Sequence, residues 1–277
     1  MGEGDTNRRD EGKPRVGIAS PEHGNANEII YTAPGSTEGL GADLTHLYTI
    51  SCSMRNKQDE LKALVCSPSG DIICISETWW NESHNWSAGM EGYRLFKRGS
   101  QGRRGRGAAL YVTERFDCTA FTVEDDMVES LWVRIRGMEN KADVVAGVYY
   151  QSSSQDDSTD GLFCRQLGAI LASAALVLLG DSNFPDISWE FHTAVTSKSG
   201  KFFKSMEDNF LSQVPSEPTR RDALLDLFVN REGLMGDVMV GGCLGHSDHE
   251  ILAFKIFGVM RKKGRQSCHS GFPGGKL

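Results

Sequence analysis

Segment 175–181, ALVLLGD, runs through five apolar residues before a glycine and an acid. An apolar run without polar alternation predicts a strand buried on both faces. Segment 71–78, DIICISET, reads the same way. Further strands are predicted at 107–114, 130–137 and 143–150, which are rich in β-branched and aromatic residues, and at 223–230, 236–242 and 250–257. Ordered structure is expected to begin at 47–50, LYTI. Apolar residues recur at helical spacing in 56–67, 161–174 and 198–210, which predicts three helices. Many strands follow one another with no helix between them. That order favours an α/β (α+β) arrangement, two sheets packed face to face with helices outside, over a doubly wound parallel sheet.

The flanks behave differently. Residues 1–43 are rich in Gly, Glu, Asn and Pro and show no sustained periodicity, so a disordered N-terminal segment is expected there. Residues 258–277 are basic and then glycine-rich, as in a loose tail. One domain, 44–257, remains between them. No stretch approaches the roughly 20 apolar residues of a membrane span. The first residues also lack the apolar core of a secretory signal. The expectation is an intracellular chain, nuclear or cytoplasmic, with no membrane partner. Seven cysteines, an odd number with no CxxC spacing, fit reduced thiols used as small core residues.

A net charge of -7 argues against a protein that coats nucleic acid. Charge is unevenly distributed, however. Segment 93–111, YRLFKRGSQGRRGRGAALY, carries Arg94, Lys97, Arg98, Arg103, Arg104 and Arg106 and no acid. Read as a loop, it either grips a phosphate backbone or is a solvated surface.

Polar residues with chemical capacity recur where the strands end. Glu77 closes ICISE, Tyr150 closes GVYY, and Asp181 and Asn183 follow LVLLG. Asp226 lies within LLDLF, and Ser247, Asp248 and His249 precede the last strand. Strand ends hold side chains rigidly at one open edge of a sheet. Each alone has an ordinary explanation in turn chemistry or core hydrogen bonding. Together they supply hard oxygen donors for Mg²⁺ (Glu77, Asp248), a carboxylate–imidazole pair (Asp226, His249), an acid able to orient or deprotonate water (Asp181) and donors for a reacting phosphate (Asn183, Tyr150). That set describes phosphodiester hydrolysis.

The ordered motifs SET, GDSN and SDH resemble those of the endonuclease/exonuclease/phosphatase superfamily, which includes DNase I and the apurinic endonucleases. LYTISCSMRNKQDEL, ISETWWNESHNWS, VLLGDSNFPDISW, PTRRDALLDLFVN and GHSDHEILAF look like the endonuclease domain of LINE-type, non-LTR retrotransposons, with the chicken-repeat clade as the nearest resemblance. The resemblance covers roughly 44–257. It implies a four-layer sandwich and an Mg²⁺-dependent nickase, Mn²⁺ being an alternative ion. Its partner would be double-stranded DNA, and the freed 3′-hydroxyl would prime reverse transcription. By the same resemblance, Glu77 matches the metal ligand, Tyr150 the phosphate-side tyrosine, and Asp181 with Asn183 the water-activating and phosphate-orienting pair. Asp226 and His249 match the carboxylate–imidazole pair, and Asp248 the neighbouring acid. Arg103, Arg104 and Arg106 gain weight as DNA contacts. Either Asp181 or His249 can be the general base.

The chain departs from the family pattern at three places. Ile50 stands where an asparagine supports metal and phosphate, and an isoleucine has neither donor nor acceptor. Ser51 and Ser53 are the nearest hydroxyls, but alternation along a strand turns Ser51 away. Gln151-Ser152-Ser153 replaces Arg-Pro-Pro, losing a cation and a rigid loop, and Ser182 replaces a phenylalanine. No reverse transcriptase domain is expected on this chain. Two other functions therefore stay open: an inactive DNA-binding or structural remnant of the same fold, and a phosphatase of small phosphoesters. The pair Trp79-Trp80 has two readings as well, packing a loop against the core or stacking on a base.

Overall fold

The computed structural model describes residues 42–66, 70–80, 88–99, 106–121, 127–137, 143–152, 155–214, 219, 227–229 and 234–260. The elements are β1 (Ala42–Ile50), α1 (Gln58–Cys66), β2 (Ile72–Ser76), β3 (Tyr93–Arg98), β4 (Ala108–Thr113), β5 (Cys118–Ala120), β6 (Ser130–Ile135) and β7 (Val144–Tyr149). They continue with α2 (Asp157–Leu171), β8 (Ala175–Leu179), β9 (Ile187–Ser188), β10 (Thr193–Ala194), α3 (Ser197–Asp208), β11 (Ser212–Gln213), β12 (Leu227–Val229), β13 (Met235–Val240) and β14 (Leu252–Met260).

Two six-stranded sheets carry the domain. Their orders are β13-β14-β1-β2-β4-β3 and β11-β12-β8-β7-β6-β5. Each holds one parallel pair, β1 with β2 and β7 with β8; the other pairs are antiparallel. Side chains alternate across each sheet, and both faces are covered. From β2, Ile72 and Cys74 enter the core between the sheets, and so do Val177 and Leu179 from β8. The intervening Ile73 and Ile75 pack outward with Leu61 of α1, while Leu176 and Leu178 pack outward with Phe163 of α2 and Phe202 of α3. This is why the central strands show no polar alternation. Each such buried aliphatic side chain contributes about 1.5–3 kcal/mol. The result is the expected α/β sandwich of four layers: helix, sheet, sheet, helices.

Local chemistry moves several boundaries. Strand β1 already runs from Ala42, ahead of Leu47, because it pairs with β14 from Leu44 to Tyr48 and shares the inter-sheet core. Helix α2 starts at Asp157, not near 161, because the Asp156 carboxylate accepts from Thr159 N (2.8 Å) and caps it. Thr196 and Ser199 cap α3 reciprocally. The stretch 93–98, expected to be loop, is the edge strand β3. Its basic residues suit an edge, where charge discourages pairing with another chain.

Gly147 on β7 lies opposite Trp132 on β6. A Cβ there would come within 2.2 Å of the indole. Trp132 cannot easily yield, since its Nε1 donates to Ser130 Oγ (2.9 Å), which donates to Gln166 Oε1 (3.0 Å). Gly147→Ala is expected to lower stability by about 1–3 kcal/mol, read as a lower urea midpoint at unchanged slope.

Candidate active site

Three strands of the two sheets deliver their polar residues at their C-terminal ends. Glu77 follows β2, whose five residues are all buried. The chain turns sharply there, with Glu77 at φ 53°. Its carbonyl accepts from Ser53 N (2.9 Å) and from Ser51 Oγ (2.9 Å), which fixes the turn. Ser51 is thus committed to the backbone, and Ser53 Oγ accepts from Arg55 N (3.3 Å).

Tyr150 follows β7, and its amide donates to the Glu129 carbonyl (3.1 Å). Its hydroxyl is hydrogen-bonded to the Glu77 carboxylate. Burial, and then the charges of Glu77 and Asp181, push its pKa well above the ordinary tyrosine value. The phenol therefore stays protonated and serves as a donor.

Strand β8 ends on Gly180, at φ 146°, followed by the buried Asp181. Asp181 Oδ1 accepts from Asn183 N (2.7 Å), and its carbonyl accepts from Gln151 N (3.0 Å). Asn183, at φ 52°, donates from Nδ2 to the Gln151 carbonyl (3.4 Å). Gln151 is itself buried and accepts from the Tyr149 hydroxyl (3.2 Å). Where prolines were expected to stiffen this loop, hydrogen bonds hold Gln151. Its role was not foreseen, because a lone glutamine after a strand carries no distinctive signal.

The fourth contribution comes from the turn before β14. Ser247 Oγ donates to the Ile50 carbonyl (2.6 Å) and accepts from His249 N (3.2 Å). This ties the turn to the end of β1. His249 is buried, with Nε2 3.7 Å from Asp181 Oδ2 and 4.0 Å from Asp248 Oδ1. Asp248 is more open and accepts from Cys52 Sγ (3.6 Å). The Cys52 thiol is pushed up by burial and then by Glu77, with a smaller contribution from Asp248. One thiol thus senses both candidate metal-binding carboxylates, and sequence reasoning gave no sign of it. The side chain of Ile50 is fully buried in the core between the sheets, and only its carbonyl serves this turn.

Glu77, Tyr150, Asp181, Asn183, Asp248 and His249 are thus linked through direct contacts and shared partners. Asp226, Arg103 and Arg104 lie outside the described residues. Arg106 is described, and its Nε is 3.5 Å from Glu129 Oε2, so its charge is engaged in an ion pair. Among the described residues, no group of three or more His, Cys, Asp or Glu side chains forms a ready metal cage. Two carboxylates still suit Mg²⁺, which keeps several waters and is often held by one or two acids plus phosphate oxygens.

No family model and no curated protein matches the chain. Solved structures do. The endonuclease domain of TRAS1, a telomere-specific non-LTR retrotransposon, superposes with a TM-score of 0.60 at 17% identity, covering 78% of this chain and 98% of that one. AP endonuclease LMAP from Leishmania major gives 0.59 at 14% identity, over 77% and 87%. The 3'-5' exonuclease NExo from Neisseria meningitidis gives 0.58 at 14% identity, over 77% and 99%. The chain therefore has the fold of the DNase I-like nucleases, shared with a retrotransposon endonuclease domain.

Proposed function

We propose that this domain is a retroelement-derived, divalent-metal-dependent endonuclease that nicks double-stranded DNA. The observation that carries this reading is the meeting of His249 and Asp181, 3.7 Å apart and both buried, beside the Glu77–Tyr150 hydrogen bond. Glu77 and Asp248 would hold Mg²⁺ or Mn²⁺, which stabilises charge developing on the phosphoryl group. Asp181 or His249 takes a proton from the attacking water. The protonated Tyr150 and the Asn183 amide donate to phosphate oxygens. Attack forms a bond from the water oxygen to phosphorus and breaks the bond to the 3′-oxygen, which takes a proton from solvent and leaves as a hydroxyl, with a 5′-phosphate on the other side of the nick. By family resemblance Asp226 would be the carboxylate partner of His249.

Ile50 favours the rival reading, an inactive DNA-binding remnant. The test is nicking of supercoiled plasmid in Mg²⁺ by the full chain. The parent is expected to nick slowly and to stop in EDTA. His249→Ala and Asp181→Ala are expected to lose about a hundredfold or more. Ile50→Asn is expected to raise nicking and lower stability together, because an amide would enter the apolar core. Silence from both the parent and Ile50→Asn, with circular dichroism showing a folded domain, would leave the remnant. Turnover of inositol phosphates without nicking would point to a phosphatase.

A further inference from the structure

The two tryptophans after Glu77 meet opposite fates. Trp80 is buried among Ile73, Ile75 and Tyr111 beneath the first sheet. Trp79 is 37% exposed. Its backbone sits at φ 56°, a conformation that bulky residues rarely adopt. Uncommon backbone of this kind clusters at functional sites, where surrounding structure holds it in place.

Here the bracing is explicit. On one side, Ser53 N donates to the Glu77 carbonyl (2.9 Å) and Met54 N to that of Thr78 (3.0 Å). On the other, Thr78 N donates to the Gly107 carbonyl (3.1 Å) and Trp79 N to that of Arg106 (2.9 Å). A large aromatic surface is therefore held toward solvent on a rigid frame, and such a group loses little conformational freedom on binding. Trp79 is two residues from Glu77, at most about 7 Å of chain. A duplex with a phosphate at Glu77 passes within reach of the indole. Arg98 of β3 lies opposite Ala108, which pairs with Ser76 just ahead of Glu77, and its positive charge on this side of the sheet suits a polyanion.

We infer that Trp79 is a stacking platform for a nucleobase that leaves the duplex stack beside the cleaved phosphate. The inference rests on the endonuclease reading for where the DNA lies. Stacking on an aromatic face tolerates any base, so the contact adds affinity more than sequence selection.

The test is equilibrium binding of a fluorescein-labelled duplex oligonucleotide to the full chain in EDTA, read by anisotropy. Parent, Trp79→Ala and Trp79→Phe are compared after melting curves show equal folding. Trp79→Ala is expected to raise Kd about tenfold or more, and Trp79→Phe to keep most of the affinity. Equal affinity of Trp79→Ala and parent overturns the inference, as does a phenylalanine variant as weak as alanine. So does a parent that binds no duplex. If Trp79→Ala keeps its DNA affinity but loses a dimer seen by sedimentation, the indole is a protein contact instead. The two proposals fail separately. Trp79-dependent binding without nicking in Mg²⁺ leaves the platform and removes the nuclease; nicking with unchanged Kd in Trp79→Ala does the reverse.

Discussion

Gly180→Ala is expected to yield almost no folded domain. A Cβ at this position would lie 1.6 Å from the Tyr149 carbonyl oxygen and 2.6 Å from its carbon. Those atoms are backbone at the end of β7, which pairs with β8 right up to this point. A side chain in the way can change rotamer, but a central strand cannot move without breaking its ladder. The φ of 146° is a second obstacle, open to glycine and strained for alanine. Overpacking a well-filled site typically costs 1–3 kcal/mol, and here rigid backbone and strained φ add to it, so about 4 kcal/mol or more is expected. That is a large share of a domain stability of about 5–15 kcal/mol. Soluble yield and a urea melt measure it. Gly200→Ala is the control: this α3 glycine has nothing within 4 Å of its would-be Cβ, and alanine there is expected to stabilise by about 1 kcal/mol. A Gly180→Ala protein melting within a few degrees of the parent would mean the close approach to Tyr149 is wrong.

Acid is expected to destabilise the domain through His46, and replacing that residue should remove the effect. His46 is buried, lies between Leu44 and Tyr48 along β1 and stacks on Phe254 at 4.9 Å. Neither ring nitrogen has a hydrogen-bond partner among the described residues. Burial holds its pKa down to about 3, against an ordinary 6.5. Above pH 6.5 the ring is neutral in both the folded and the unfolded chain, so its pH-linked contribution is flat. Below 6.5 the unfolded chain takes up a proton that the folded chain refuses. Stability then falls by about 1.4 kcal/mol per pH unit until the folded ring titrates near pH 3. Between pH 7 and pH 5 the loss from this group alone is about 2 kcal/mol. Carboxylates add their own acid dependence, so the informative quantity is the difference between the parent and His46→Phe, which keeps the stack on Phe254. Urea unfolding at both pH values should show the parent losing about 2 kcal/mol more than the variant. Equal losses would mean that His46 is protonated in the folded protein or reaches a partner.

How much of this was legible in the sequence depended on burial. Asp181 and Asn183 stood out because β8 is apolar on both faces, so a sudden acid and amide had no place in a core. Glu77 stood out for the same reason after β2. Strand β3 was hidden because Arg94, Lys97 and Arg98 make an edge strand look like a loop. The pairs β9–β10 and the strand β11 are two residues long and leave no period to detect. Gln151 and Cys52 gain their importance from residues far away in sequence. Trp79 and Trp80 look alike on paper, and only the left-handed turn at Trp79 separates a buried indole from an exposed one.

The pairing of β1 with β14 also constrains how the protein can be made. The first strand lies between β14 and β2, so one of its two neighbours is the last strand described. A growing chain must emerge from the ribosome almost through Met260 before β1 is covered on both sides. Until then its backbone donors and acceptors form an open edge that can recruit another chain. The Ile50 carbonyl likewise waits for Ser247. A gene copy with a stop codon ahead of His249 would therefore make an aggregation-prone polypeptide and lose both that residue and β14, whereas a lesion after Met260 would spare both.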